Sequence, residues 1–267
     1  MVSISIIIPC YQAASTLPRA LRSCLIQQEA AQIIVVDDGS SDRVLDVARR
    51  YAQADARVEL LRMPVNGGVA RARNWAAMYA SQELLAFLDA DDEYLPGALA
   101  AASHYLGRNP GEASVRLDVE YAGFPREIVE HPEFEKYAGI LSNTVPSSLI
   151  VRRAVYRAIG GFPTDEFFRR VGGEDGAFSW ALSKLFGNRR LIDMKRVLQH
   201  HHPGIHAERF FRIYMGMKAA VPEEVVEALR LSQQFVAGAE AALAQLRALH
   251  SPAGTAAQAA PAATDQR

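Results

Sequence analysis

Leu84-Leu85-Ala86-Phe87-Leu88-Asp89-Ala90-Asp91-Asp92 is an apolar run that stops abruptly in carboxylates. An unbroken apolar run of this length reads as a strand covered on both faces, the kind found in parallel sheets. The acids that follow place hard oxygen ligands at the strand's carboxyl end. Such ligands suit Mg²⁺ or Mn²⁺, and an ion held there can in turn hold a diphosphate. A solvated loop after a strand is the plainer reading of the same residues. A second run, Ile33-Ile34-Val35-Val36, ends in Asp37-Asp38-Gly39-Ser40-Ser41-Asp42. Two strands that end in acidic turns imply one site along one edge of a parallel sheet.

The flanking sequence agrees. Strand patterns at Ile4–Ile8, Ile33–Val36, Val58–Leu61 and Leu84–Leu88 alternate with helical patterns at about 14–28, 41–54, 68–81 and 95–107. Right-handed crossovers then place helices on both faces, and ligands collect at the strands' carboxyl ends. Further on, Val115–Tyr121 and Val145–Val151 read as strands, and residues 123–143 as loop with short helix. A helix is expected over 152–159, followed by the turn Gly160-Gly161-Phe162-Pro163, and another from Glu174 to about Leu185. Arg190–Asp193 and Val197–His201 read as extended. Pro222 and Glu223-Glu224 open a long helix running to His250. Its Val225, Leu229, Ser232, Val236, Ala239, Leu243 and Leu246 follow a four-three spacing. That stripe is read as docking on the protein's own surface, with homodimerisation as the alternative. The Ala-, Pro-, Gln- and Thr-rich stretch 251–267 reads as a disordered tail.

Bulk properties exclude several classes. The chain has 267 residues, 49% of them hydrophobic, and a formal charge of −1. This is globular composition and gives no electrostatic reason to expect nucleic acid. Cys10 and Cys24 show no metal spacing, so cytoplasmic, reduced thiols are expected. The first residues do not read as a signal peptide, and no stretch reaches the ~20 apolar residues of a membrane span.

An acidic residue after the second strand also suits a dinucleotide-binding domain, where it would bind ribose. That domain needs a glycine-rich turn after the first strand. Here the turn is Pro9-Cys10-Tyr11-Gln12-Ala13-Ala14, without glycine. Taken in order, Ile6-Ile7-Ile8-Pro9-Cys10-Tyr11-Gln12, the Asp37-Asp38-Gly39 turn, Asn66-Gly67-Gly68-Val69-Ala70-Arg71-Ala72-Arg73-Asn74, Asp89-Ala90-Asp91, Ile159-Gly160-Gly161-Phe162 and Gly173-Glu174-Asp175 resemble the family 2 glycosyltransferases of GT-A fold. The resemblance covers about residues 3–205.

It implies an α/β fold of GT-A type: a doubly wound, mostly parallel sheet flanked by helices, spanning residues 1–220, with a C-terminal helical appendage at 221–250. It also implies roles. Pro9, Tyr11, Asp37, Asp38, Arg71 and Asp89 would bind a nucleotide-diphospho-sugar, with Tyr11 against the base. Asp37 would alternatively cap the following turn. Arg71, early in its helix, would sit near the diphosphate or pair with Asp89 or Asp38, while Arg73 would point elsewhere, structural or exposed. Asp91, with Asp89 and His202, would hold a divalent metal, Mn²⁺ or Mg²⁺. Asp92 is a further candidate at that site. Of Glu174 and Asp175, Asp175 matches the base that takes the acceptor's proton, and either could instead serve the helix start.

The reading is therefore a metal-dependent inverting glycosyltransferase with a saccharide or lipid-linked hydroxyl acceptor. The setting would be surface polysaccharide or glycolipid synthesis, with peripheral contact at the inner face of a membrane left open. A catalytically silent nucleotide-sugar-binding protein and a sugar nucleotidyltransferase are the alternatives.

Overall fold

The computed structural model describes residues 2–250. The expected tail at 251–267 lies outside the described residues. Eight strands form one sheet: β1 (Ile4–Cys10), β2 (Ala30–Asp37), β3 (Val58–Arg62), β4 (Leu84–Phe87), β5 (Glu93–Tyr94), β6 (Ser114–Ala122), β7 (Leu149–Arg152) and β8 (Arg190–His200). Their spatial order is β3-β2-β1-β4-β7-β6-β8-β5. The β3-β2-β1-β4 half is parallel throughout, as the alternating pattern requires. The other half is mixed, because β7 runs antiparallel to both β4 and β6. That double reversal has a consequence for the site. It makes β6, and β8 parallel to it, run the same way as β1 and β4. All four then end on one edge.

The helices are α1 (Leu17–Leu25), α2 (Val44–Ala54), α3 (Val69–Tyr79), α4 (Ala98–Arg108), α5 (Arg126–Val129), α6 (Phe134–Leu141), α7 (Arg153–Ile159), α8 (Glu166–Val171), α9 (Glu174–Phe186), α10 (His206–Tyr214) and α11 (Pro222–His250). They cover both faces, and strand alternation decides which side chain meets which layer. In β1 and β2, Ile6, Ile8, Ile33 and Val35 enter one core with Leu17 and Leu21 of α1 and Val44 and Ala48 of α2. Ile7, Ile34 and Val36 enter the other, with Ala72 and Ala76 of α3 and Phe178 and Leu182 of α9. Each fully buried aliphatic side chain stabilises the fold by about 1.5–3 kcal/mol.

Three expectations are corrected. The stretch 123–143 contains two separate helices, α5 and α6. Arg190–Asp193 and Val197–His200 belong to one strand, β8, split by a bulge, and His201 lies just beyond its end. Leu117 faces Leu191 and the next residue, Asp118, faces Lys195, so 192–194 loop out of the ladder. In α11, Val236 and Ala239 are buried against the protein's own surface, but Val225 and Leu229 are more than half exposed. The stripe is buried only around the middle of the helix, since Leu246 beyond it is again exposed.

Candidate active site

Both acidic turns converge on the end of β1. The Cys10 thiol shows this: burial pushes its pKa well up, and the charges of Asp37, Asp42, Asp91 and Asp89 push it further. These four carboxylates come from the ends of two different strands.

The first turn is built as a hydrogen-bonded knot. Asp37 is fully buried, and its Oδ1 accepts the Ser40 N–H at 2.9 Å, closing the turn. Its other oxygen lies 3.4 Å from Arg62 Nε. Gly39 follows with φ +70°, and a Cβ there would lie 2.6 Å from the Asn66 nitrogen. Only glycine lets this turn back onto the 65–66 loop. Asp38 bonds that loop: Oδ1 accepts Gly67 N–H at 2.6 Å, and Oδ2 accepts Gly68 N–H at 2.9 Å and the Asn66 amide at 3.1 Å. Burial raises the Asp38 pKa, and the two glycine N–H bonds oppose that rise. The backbone amides at the start of α3, a place where anions commonly bind, thus face a carboxylate of the chain itself. Gln12, Ser40, Ser41 and Asp42 stitch the loops after β1 and β2 together, through Gln12 N–H to Ser40 Oγ and Ala14 N–H to Asp42 Oδ2. Pro9 is buried in β1 beside Val36, whereas Tyr11 beyond it is 54% exposed.

The second cluster is organised by Arg73. It is 3% exposed and lies on α3, where the sequence reading had it facing away from the site. Nη2 donates to Asp89 Oδ1 at 2.6 Å and Nη1 to Glu174 Oε1 at 3.1 Å. Its guanidinium carbon lies 5.2 Å from the Phe162 ring centre. Burial alone would lower the Arg73 pKa, but Asp89 and Glu174 more than reverse this and raise it. The arginine expected to serve the carboxylates, Arg71, instead lies near the carbonyls of Gly67 and Thr164, at 3.4 Å each. Asn74, next to Arg73, bonds both the N–H and the carbonyl of Phe162. Hence the Gly160-Gly161-Phe162 turn fixes the helix that carries Arg73.

Asp175 follows Glu174 in the first turn of α9, preceded by Gly172 and Gly173 at φ +86° and +105°. Its pKa is raised to about 7, first by burial and then by the neighbouring Glu174 charge, against the pull of Gly176 N–H and Arg73. A carboxylate that titrates near neutrality suits a general base.

Of the three consecutive histidines, each meets a different carboxylate. His200 Nε2 lies 2.6 Å from Glu93 Oε1, His201 Nε2 lies 2.7 Å from Glu208 Oε2, and His202 Nε2 lies 2.8 Å from Asp91 Oδ2. Strand alternation separates the first two, and the end of β8 delivers the third to the acidic turn. Asp92 is buried, and its Oδ2 accepts Ser147 Oγ–H at 2.6 Å. The same Ser147 oxygen accepts the Asp89 N–H at 3.1 Å. Burial, then Asp91 and Asp89, push the Asp92 pKa well up. Asp92 is therefore a brace for the turn. Ser147 carries no sequence signal of its own, since it precedes β7 in an unremarkable Pro-Ser-Ser segment.

No group of three His, Cys, Asp or Glu among the described residues forms a closed metal cage. Asp91 and His202 together offer one carboxylate and one imidazole, with Asp89 adjacent but bonded to Arg73. Mg²⁺ and Mn²⁺ bind commonly through one or two carboxylates, with substrate phosphates and water completing the shell. Asp91 and His202 fit an ion of that kind.

A profile of glycosyl transferase family 2 matches residues 5–155. The succinoglycan biosynthesis protein ExoU of Rhizobium meliloti is 42% identical over 96 residues, 36% of this chain and 28% of that protein. The matches to the first relatives span between 27% and 36% of their lengths. Residues 1–349 of S. aureus TarS, crystallised with UDP-GlcNAc, superpose with a TM-score of 0.65 at 20% identity, over 92% of this chain and 71% of that one. The mannosyltransferase PcManGT of Pyrobaculum calidifontis, in complex with GDP-Man and Mn²⁺, gives 0.61 at 20% identity, over 94% and 76%. These two likenesses are of fold, and the open mixed sheet with its flanking helices is of GT-A type. With the profile covering more than half of the chain, from the first strand through the acidic turns to α7, this protein belongs to glycosyl transferase family 2.

Proposed function

We propose that the protein transfers a sugar from a nucleotide-diphospho-sugar to an acceptor hydroxyl, with inversion and with a divalent metal. The observation that carries this reading is the Arg73 bridge. It joins Asp89, beside the candidate metal residue Asp91, to Glu174, beside the candidate base Asp175. A donor-side carboxylate and an acceptor-side carboxylate are thereby held across one cleft by one guanidinium.

In this reading Asp175 takes the proton from the acceptor hydroxyl as its oxygen bonds to the anomeric carbon. The bond from that carbon to the diphosphate oxygen breaks, and the nucleoside diphosphate leaves. Attack opposite the leaving group inverts the anomeric centre. A bound Mg²⁺ or Mn²⁺, held by Asp91 and His202, would neutralise charge developing on the departing phosphate, so no protein acid is needed there. Asp38 and the exposed Tyr11 would flank the nucleoside. The likeness to PcManGT, seen in complex with GDP-Man and Mn²⁺, and to TarS, crystallised with UDP-GlcNAc, supports a metal and a nucleotide-sugar donor. The likeness to a succinoglycan biosynthesis protein supports a place in surface polysaccharide synthesis.

The test is a thermal-shift screen with UDP-, GDP-, dTDP- and CDP-sugars, with and without Mn²⁺, followed by calorimetry on the best donor. Stabilisation by one nucleotide class that needs the metal is expected. Equal binding with and without chelator would remove metal dependence. No response to any donor would remove the reading itself.

A further inference from the structure

Arg116, in β6, is the largest fully buried side chain among the described residues, 1% exposed. Its neighbours Val115 and Leu117 enter the core under α1 and α4, so alternation turns Arg116 to the opposite face, beneath α9. Its guanidinium bonds to no carboxylate. Nη1 donates to the Val145 carbonyl at 2.8 Å and to Ser148 Oγ at 3.1 Å, and Nη2 donates to Ser179 Oγ at 2.6 Å. Nε has no partner. Burying a cation in this way is costly, and a Leu or Met would fill the space without that cost. Burial accordingly pulls the Arg116 pKa down to about 9, with the Asp175 charge acting in the opposite sense.

What an apolar residue cannot supply is a rigid fork of donors. One arm holds Ser179, one helical turn after Asp175 and on the same face of α9. The other arm holds Val145 and Ser148, which flank the segment carrying Ser147. Ser147 in turn holds Asp92 and the Asp89 N–H. The acidic turn and the start of α9 are therefore tied twice: directly through the buried Arg73, and through Arg116 by way of Ser179 and the 145–148 segment.

The geometry points to Arg116 as a positioning residue that fixes the helix bearing Asp175 against the segment bracing the Asp89–Asp92 turn. This rests on the reading of Asp175 as base. A misplacement of about 1 Å between such groups costs about a hundredfold in rate.

Three proteins test it: Arg116→Ala, Arg116→Lys and Arg116→Met. Donor turnover is expected to fall roughly tenfold to a hundredfold in each, with the affinity for the best nucleoside diphosphate unchanged. Millimolar guanidinium should restore turnover in Arg116→Ala, whose cavity keeps the three acceptors, and not in the other two. A second readout does not depend on activity. The Asp175 carboxyl resonance of [¹³C]Asp-labelled protein, assigned by its loss in Asp175→Asn, should titrate higher in Arg116→Ala and Arg116→Met and return toward wild type with guanidinium. Glu174, Arg73 and Asp89 also face Asp175 and are unchanged in all three. Unaltered turnover and titration would overturn the proposal, as would a loss of turnover that guanidinium leaves in place. Failure of all three variants to fold would assign Arg116 to the fold alone and equally overturn it. If Asp175→Asn retains turnover, the base assignment fails by itself, and the resonance still reports whether Arg116 positions that helix.

Discussion

Arg73 Nη1 lies 3.1 Å from Glu174 Oε1, across 101 positions of sequence. The same guanidinium reaches Asp89 at 2.6 Å. Glu174 and Arg73 are nearly closed to solvent, with side chains 11% and 3% exposed. Removing one partner leaves a buried charge without compensation, which typically costs about 3–5 kcal/mol. Arg73→Met is therefore expected to lower stability by about that amount in urea unfolding and to abolish turnover. Arg73→Lys keeps the charge but cannot span both acids with a planar fork. Its stability should lie between the two, with turnover still strongly reduced. A stable, active Arg73→Met would show that the bridge is incidental.

Asp175→Asn should abolish transfer while sparing donor binding. Asn keeps the shape but cannot accept the proton, and loss of a general base costs about 10²–10⁴ in rate. The pKa of about 7 adds a pH signature. Turnover should rise through a limb centred near neutrality, because only the ionised form accepts a proton. Stability should move the other way. The folded pKa lies above the ordinary 3.8, so the protonated folded state is favoured. That contribution is complete below the ordinary value and is lost as pH rises through about 7. The melting temperature of wild type relative to Asp175→Asn should therefore fall across that interval. A difference independent of pH would mean that Asp175 titrates as an ordinary carboxyl.

The parallel half of the sheet and the meeting of its acidic turns were legible in sequence because local apolar runs carry that information directly. β7 and β5 were harder. β5 has two residues, and the direction of β7 depends on pairing with strands far away in sequence. The choice between Arg71 and Arg73 was also beyond a local reading. Two residues apart on a helix means about 200° of rotation, and only the packing of α3 against β1 and β2 sets which side faces in. The histidine tract shows the same limit. The bonds of its three rings to Glu93, Glu208 and Asp91 are made with residues outside the tract, which a local reading does not reach. Ser147 and Arg116 gave no signal, since a serine brace and a buried arginine are recognised only through their partners.

Metal removal should separate binding from folding. Asp91 and His202 are partly exposed, with side chains 31% and 47% accessible. Asp91→Ala should leave the melting temperature nearly unchanged and greatly weaken Mn²⁺-dependent binding of a nucleoside diphosphate. His202→Gln should weaken it by about 10–100-fold. Calorimetry with Mn²⁺ and then with chelator checks both. Full affinity in the Asp91 variant would move the metal elsewhere in the cleft.

Asp38 offers the sharpest test of how the nucleotide side is built. Its two oxygens accept three N–H bonds, from Asn66, Gly67 and Gly68. Asn at this position is isosteric but presents an NH₂ group to one of those donors. One backbone N–H would face another donor in a buried site, at a cost of about 1–3 kcal/mol. Asp38→Asn should thus lose stability even without any ligand, and the 65–68 loop should exchange its amide hydrogens faster. Under the proposed reading, in which Asp38 and Tyr11 flank the nucleoside, nucleotide affinity should fall in the same variant. Hydrogen exchange on the apo protein separates the two effects. If loop protection is unchanged while affinity is lost, Asp38 acts on the nucleotide directly. If protection falls and affinity holds, Asp38 only ties the loop, and recognition of the nucleoside must rest on Tyr11 and other neighbours.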